Sequence, residues 1–151
     1  MTGKELVLKI HRDKGRADAL ALRDMAVAGT ITDTEIIDSE EAVPAWSDTK
    51  NYTNTLAGSP FAYEGQVYRL LQPHDASANP AWTPANTPAL WGLAHTKNPA
   101  KAKPYVAPLG TSGLYMLDEC CIFDGKIWQC IVDSNPYSPA DYAANWMEVT
   151  E

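Results

Sequence analysis

The side chains that could carry out catalysis do not form the pairs that catalysis requires. A glycoside hydrolase needs two carboxyl groups that face each other across a cleft. The loop and turn aspartates lie in segments too short to enclose such a cleft, and they are Asp75, Asp118, Asp124, Asp133 and Asp141. No phosphate-binding or dinucleotide-binding glycine motif occurs in the sequence. We therefore expect a protein that is not an enzyme.

The three cysteines are expected to be reduced and structural. Cys120 and Cys121 are adjacent, and adjacent cysteines rarely form a disulfide because the geometry is strained. A zinc site would need a fourth ligand at finger-like spacing, whereas the histidines lie far upstream without such a pattern, at His11, His74 and His95. The sequence thus predicts neither a metal site nor a cofactor.

Aromatic side chains are the remaining source of chemistry, and they are concentrated in one part of the chain. All five tryptophans, all seven tyrosines and all eleven prolines lie after position 43. An exposed aromatic ring can form one wall of a ligand site, together with a small number of polar groups. The change in composition at position 43 also marks the first domain boundary.

The aromatic-rich region contains an internal repeat. The segment from Gly58 to Leu70 aligns without a gap on the segment from Asp118 to Cys130. Farther along, Trp82 aligns with Tyr137 and Trp91 with Trp146, at a constant but shorter offset. The region after position 43 is therefore interpreted as a duplication whose first copy has five additional residues in one loop.

Each copy has the sequence of a β-hairpin followed by a third strand. An alternating apolar strand precedes a turn at Glu64-Gly65 or Asp124-Gly125, and a second alternating strand follows it. A proline-containing loop then leads to Trp91 or Trp146, where a short third strand begins. The predicted fold is mainly β, with two small three-stranded antiparallel aromatic-rich modules in tandem behind a short α-helical N-terminal segment.

The domain boundaries follow from these features. Residues 1–43 form the helical segment, 44–94 the first module, 95–103 a linker and 104–151 the second module. The linker is polar, basic and contains prolines, a composition typical of a semi-stiff connection.

The N-terminal segment is predicted to contain two helices. Apolar residues recur at spacings of three and four over Leu6–Ile10 and Ala17–Val27, and Gly29 is well placed to end a helix. Thr32 and Glu35 have the spacing of a capping box, which predicts the start of a second short helix. A segment this short forms no core of its own. It is expected to pack on the first module or, alternatively, to mediate self-association or attachment to a larger assembly.

The order of aromatics, glycines and prolines in the repeat resembles the chitin-binding-type carbohydrate-binding modules of families five and twelve. More narrowly, Tyr68-Arg-Leu-Leu-Gln-Pro-His74, Trp82-Thr-Pro84 and Thr87-Pro-Ala-Leu-Trp91 resemble the module found in virion proteins of tailed bacteriophages. There the module often follows a helical lead-in that ends in a Pro-x-Trp such as Pro44-Ala-Trp46. The resemblance covers roughly residues 30 to 149 and implies the small β fold and polysaccharide binding.

This sequence departs from the family pattern just after the second strand. Chitinase-borne modules carry adjacent aromatics there, which stack on the sugar, whereas this chain has Gln72-Pro73 and Asp133-Ser134. Transfer of the fold is therefore better founded than transfer of the ligand.

The aromatics divide into core candidates and binding candidates. Trp82 and Tyr137 lie in proline-flanked loops where a ring can stay exposed, and they are the main glycan-binding candidates. His74 and Tyr142 are further candidates. The alternative is that these loop rings fold back over a small core. Six rings recur at strand positions and are predicted to form the structural core: Tyr52, Tyr68, Trp91, Tyr115, Trp128 and Trp146.

Charge and hydrophobicity limit the partners. A net charge of −7 and a pI near 4.9 disfavour binding to the phosphates of nucleic acids. No stretch approaches the run of about 18 apolar residues that a membrane span needs, and the first residues lack the pattern of a signal peptide. We expect synthesis in a host cytoplasm without membrane insertion.

The function that the resemblance implies is that of a bacteriophage virion protein in a tail, fibre or capsid-decorating position. Its modules would aid attachment to host-surface or environmental glycans, and residues 1–43 would contact other virion proteins or further copies in a homo-oligomer. The alternative is a purely structural virion protein whose modules bind protein rather than sugar.

Overall fold

Two helices precede the sheets in the computed structural model, which describes residues 18–150. In the described part of the chain, helix α1 covers residues 18–28. It ends at Gly29, whose positive φ of 73° favours glycine. Helix α2 spans Asp33–Asp38, and Thr32 and Glu35 form both bonds of the predicted capping box. The helical spacing predicted over Leu6–Ile10 lies outside the described residues.

Both helices pack on the first module. Leu22 of α1 and Ile36 and Ile37 of α2 share one buried cluster with Val67 and Ala94 of the module. Within the described part of this segment, the apolar residues therefore cover a sheet of the same chain. No helix among the described residues is long and apolar enough to cross a membrane.

Two sheets form the rest of the protein and confirm the mainly β fold. In the first sheet, β1 (Pro60–Tyr63), β2 (Gln66–Leu70) and β3 (Trp91–Leu93) are antiparallel neighbours in that order. The second sheet has the order β4-β5-β6-β7, and only the short β4 is parallel to its neighbour. Its strands are β4 (Lys103–Pro104), β5 (Cys120–Phe123), β6 (Lys126–Cys130) and β7 (Trp146–Val149).

The two hairpins follow the alignment found in the sequence. Pro60 faces Arg69 in the first hairpin, and Cys120 faces Gln129 in the second, which are the positions that the repeat aligns with them. Glu64-Gly65 and Asp124-Gly125 have positive φ angles at both central turn positions, namely 48° and 78°, and 53° and 72°. This combination is typical of a type I′ turn, whose twist matches that of the flanking strands.

The segment ahead of each hairpin repeats as well, with Trp46 and Tyr105 in corresponding places. The amide of Trp46 donates to the carbonyl of Ala62 at 2.8 Å, and the amide of Tyr105 donates to that of Ile122 at 2.9 Å. A 3-10 turn precedes each of these residues, at Glu40–Ala42 and at Pro99–Lys101. Residues 95–105 thus occupy the place in the second module that residues 36–46 occupy in the first.

Residues 95–104, here called the junction, pack against the helical segment and both sheets. The amide of Lys97 donates to Thr34 Oγ1 at 2.9 Å. The remaining contacts are a bond from Asn98 Nδ2 to Asp38 at 2.9 Å, an ion pair between Lys103 and Glu40, and a bond from Gln66 Nε2 to the carbonyl of Pro104 at 3.0 Å. The segment predicted as a linker is therefore held by side-chain contacts to the helical segment and to the first sheet.

The modules have separate aromatic cores. In the first, Tyr52 lies edge-on to Phe61 and to Trp91, with ring centroids 5.0 Å and 5.5 Å apart. In the second, Tyr115 and Trp146 are 5.2 Å apart. Cys121 and Cys130 stand where the first module has Phe61 and Leu70, so small thiols replace large side chains.

Cys120 points to the opposite side of its strand from Cys121, yet both are buried. The amide of Cys120 donates to the carbonyl of Thr96 at 2.7 Å, so the junction covers this part of the sheet. Burial raises the pKa of the Cys120 thiol to about 11 and that of the Cys121 thiol to about 12. Both thiols are therefore protonated near neutral pH and are poor nucleophiles.

Candidate functional site

The four predicted binding residues lie in two loops, one between β2 and β3 and the other between β6 and β7. These loops cover residues 71–90 in the first module and 131–145 in the second. The structure brings the four residues together in two pairs, one in each module. We call Trp82 with His74 the indole site, and Tyr137 with Tyr142 the tyrosine site.

The indole site combines one exposed ring with one buried ring. Trp82 is 43% exposed, whereas His74 is 8% exposed and its ring lies 6.4 Å from that of Trp82, at an angle of 52°. His74 also packs edge-on against Trp91 at 5.6 Å. His74 thus lies between the partly exposed indole of Trp82 and Trp91 of the core.

Short-range hydrogen bonds hold the loop that carries Trp82. The carboxylate of Asp75 accepts bonds from the amide and hydroxyl of Ser77, which lower the pKa of Asp75. Asn79 Nδ2 donates to the carbonyl of Asp75 at 3.1 Å, and the amide of Trp82 donates to the carbonyl of Asn79 at 2.9 Å. The indole is therefore carried by a chain of turns anchored at Asp75.

Two buried nitrogen atoms beneath this loop are unpaired. Among the described residues, neither His74 Nε2 nor Trp91 Nε1 has a hydrogen-bond partner. A buried polar atom without a partner costs about 1–3 kcal/mol. The longer loop of the first module therefore supplies fewer hydrogen bonds to the buried side chains beneath it than the shorter loop of the second.

The tyrosine site has two exposed rings. Tyr137 is 50% exposed and Tyr142 is 52% exposed. Their centroids are 5.7 Å apart and their planes are inclined by 41°. The two exposed rings are therefore inclined to each other and do not share a plane.

Buried polar groups fix the backbone of Tyr137 on both sides. Its amide donates to Asn135 Oδ1 at 3.0 Å, and its carbonyl accepts a bond from Trp146 Nε1 at 3.0 Å. Asn135 is 1% exposed, and its Oδ1 also accepts a bond from Asn145 Nδ2 at 3.2 Å. The Nε1 atom of Trp91 has no partner in the first module, whereas that of Trp146, the corresponding residue, holds the loop of Tyr137 in the second.

The predicted core rings lie as follows. Tyr52, Tyr68, Trp91, Tyr115 and Trp146 are all buried. Trp128 is partly buried, and its Nε1 donates to the carbonyl of Phe123 at 3.1 Å. Burial raises the pKa of the Tyr115 hydroxyl, which accepts a bond from the amide of Val106.

Asn135 and Ser138 are polar neighbours of Tyr137 in the sequence, but sequence reasoning missed the turn that Ser138 forms. The Ser138 hydroxyl accepts a bond from the amide of Asp141 at 3.0 Å, and the Ser138 carbonyl accepts one from the amide of Tyr142 at 3.0 Å. This turn brings Tyr142 back towards Tyr137. The Ser-x-x-Asp spacing of residues 138–141 is the signal that could have predicted it.

These sites offer flat apolar rings rather than reactive groups. Within residues 18–150, no group of three or more histidine, cysteine, aspartate or glutamate side chains could hold a metal ion. The arrangement suits ligands that have both apolar faces and hydroxyl groups, as pyranose sugars do.

Comparison with known proteins agrees with this geometry in the first module. The chain is 45% identical over 51 residues to Chitinase A1 of Niallia circulans, which is 34% of this chain and 7% of that protein. It is 54% identical over 39 residues to Streptogrisin-C of Streptomyces griseus, which is 26% of this chain and 8% of that protein. The chain thus spans only a small part of these curated relatives. Residues 45–92, which carry the indole site, match carbohydrate-binding module family 5/12.

Proposed function

We propose that the protein binds a polysaccharide and that Trp82 is the main contact of its first module. The observation that carries this proposal is the exposed indole within a segment that matches a carbohydrate-binding module family. A face of the indole would lie against the apolar face of a sugar ring, where both surfaces lose contact with water. Chitin is the first polysaccharide to test, because one relative is a chitinase.

The test is retention of the full chain on insoluble polysaccharide. We expect retention on chitin, peptidoglycan or whole bacterial cells, and at least a tenfold weaker retention for Trp82→Ala. Leu56→Ala is the matched control, because Leu56 is an exposed apolar residue of the same module, 60% exposed, outside the indole site. Equal retention of wild type and Trp82→Ala on every surface would show that the indole is not the contact.

More narrowly, we propose a non-enzymatic attachment protein of a bacteriophage virion, made in the host cytoplasm and assembled into the particle. The tandem modules support it, because weak sites on a repeated particle act at high effective concentration. Contacts with other virion proteins or a homo-oligomer would involve residues 1–43, where Leu20 and Met25 of α1 are 44% and 42% exposed. A monomeric mass in light scattering would count against the homo-oligomer.

The absence of catalysis is part of the same proposal. The raised pKa values of Cys120 and Cys121 remove two potential nucleophiles, and the carboxylate of Asp75 is engaged by Ser77. We expect no release of soluble sugar from chitin or peptidoglycan over long incubation. Release that survives repurification would contradict this expectation.

The alternative of a purely structural protein is favoured by one observation. The positions after the second strand that carry aromatics in chitinase-borne modules are Gln72-Pro73 and Asp133-Ser134, and Gln72 Nε2 instead donates to the carbonyl of Ala89 at 2.9 Å. Under this alternative the wild-type chain binds no polysaccharide in the retention assay, and its modules bind protein.

A further inference from the structure

The second module lies outside the family match, yet it repeats the architecture of the first. In both modules the tyrosine hydroxyl of the core accepts a bond from a lead-in amide, from Ser47 to Tyr52 at 2.9 Å and from Val106 to Tyr115 at 3.3 Å. The registers of the two hairpins also agree residue by residue. Residues 131–145 therefore occupy the place of the loop that carries Trp82.

This second loop presents its rings on a fixed backbone. Tyr137 is held at its amide by Asn135 and at its carbonyl by Trp146, and both of these partners are buried. Tyr142 is held at its amide by the carbonyl of Ser138. A site whose backbone is already fixed loses little conformational entropy when a ligand binds.

The inclination of the two rings limits the shape of the ligand. Rings at 41° to each other cannot both lie flat on one planar surface. A single sugar ring with free edges can contact both, one ring against its face and the other against its edge. Each tyrosine also has a hydroxyl group that can donate and accept hydrogen bonds with sugar hydroxyls.

We propose that Tyr137 and Tyr142 form a second glycan-binding site, which takes one sugar residue of a soluble oligosaccharide or a free chain rather than the flat face of an insoluble polysaccharide. This inference rests on the proposed sugar-binding function of the modules. It assigns the two modules different forms of the same ligand class, because Trp82 offers a single plane and the tyrosine site offers two inclined rings.

The experiment separates the two sites by using the full chain with Trp82→Ala. Oligosaccharides of N-acetylglucosamine, glucose and mannose are titrated separately, and amide chemical shifts are followed by two-dimensional NMR. We expect at least one of them to shift the amide signals of Tyr137, Ser138 and Tyr142. Tyr142→Ala should weaken that binding at least tenfold, whereas Met147→Ala, which alters an exposed residue of the same module, should leave it unchanged.

The outcomes for the two sites are independent. No shift at Tyr137 or Tyr142 with all three sugars overturns the tyrosine site, even when retention on chitin still depends on Trp82. Shifts that persist with unchanged affinity in Tyr142→Ala also overturn it, because one ring would then suffice. Amide signals of Cys121 and Trp128 that match those of the unsubstituted chain verify that each variant is folded.

Discussion

The two sheets differ in how far their outer faces are covered, where the outer face is the one turned away from the aromatic core. The registers place six residues on each, Pro60, Ala62, Val67, Arg69, Gly92 and Ala94 in the first module, and Cys120, Ile122, Ile127, Gln129, Met147 and Val149 in the second. Helices α1 and α2 cover the first, and Val67 is only 1% exposed. On the second, Ile122 and Met147 are 38% and 50% exposed.

One substitution between the copies matches this difference. Gly58 allows close approach of α1, because a Cβ atom there would lie 3.4 Å from the Cα of Val27, and its φ is 95°. The corresponding residue of the second module is Asp118, which also has a positive φ, of 73°, but carries a side chain. The same hairpin is therefore adapted to a helix in one copy and to solvent in the other.

The largest expected difference comes from placing a charge on each outer face. Val67→Lys would bury an ammonium group among Ile36, Ile37 and Ala94, so we expect a loss on the order of several kcal/mol and failure to fold. Ile127→Lys is expected to be tolerated, because Ile127 is only partly buried. Thermal unfolding followed by circular dichroism measures both. Equal destabilisation would show that the second face is also covered in solution.

A smaller difference is expected at the next pair of positions, Arg69 and Gln129. Arg69 donates to Asp33 at 3.0 Å and to the carbonyls of Gly58 and Ala26, so it joins α1 and α2 to the sheet. We expect Arg69→Gln to lower the free energy of unfolding by about 2 kcal/mol. Gln129→Ala removes one bond of 3.4 Å and should lower it by less than about 0.5 kcal/mol. Urea denaturation of both variants checks the comparison, which fails when the two losses are equal.

The smallest effect is expected at His95, which stands where the first module has Ile36. Its ring stacks on Tyr115 at 3.7 Å, Nε2 donates to the carbonyl of Gly113 at 3.0 Å, and burial lowers its pKa. Since the unfolded chain then binds the proton more readily, the stability that neutral His95 contributes is present above about pH 6.5 and is lost as pH falls towards the lowered folded pKa.

We therefore expect the melting temperature of the wild type to fall more steeply than that of His95→Gln between about pH 6.5 and 5. Burial raises the pKa of nearby Glu119, but Glu119 is present in both chains, so its contribution cancels in the difference. Parallel pH profiles of the two chains would show that His95 does not titrate in this range.

The sequence predicted the parts of the fold that depend on local rules. The glycine turns, the capping box at Thr32 and the gap-free repeat each have a recognisable spacing, and the structure has all three. Only the match of Trp46 with the Pro104-Tyr105-Val106 stretch could be read from the lead-in, because Ile36 and Ile37 correspond to His95 and Thr96, which share no chemistry with them. Their equivalence lies in backbone bonds, such as those of Trp46 and Tyr105.

The candidate site was predictable in its residues but not in its grouping. The proline-flanked loops left open whether the rings of Trp82 and Tyr137 stay exposed or fold back over the core, and in the structure both are partly exposed. The pairing of Tyr137 with Tyr142 depends on a turn at Ser138 and on the side chain of Asn135, which is buried although it is polar. Long-range hydrogen bonds of polar side chains have no fixed sequence spacing, which is why the pairing of Tyr137 with Tyr142 could not be predicted from the sequence.

The junction has a mechanical consequence. A pull between the N-terminal helices and the second module, when that module is held on a surface, would pass through the contacts of Asn98 with Asp38 and of Lys103 with Glu40. The bond from Gln66 to the carbonyl of Pro104 links the two sheets beside them. Contacts arranged side by side share a load, whereas contacts in a row fail one after another. The protein should therefore stretch little at small forces and give way at the junction in a single step.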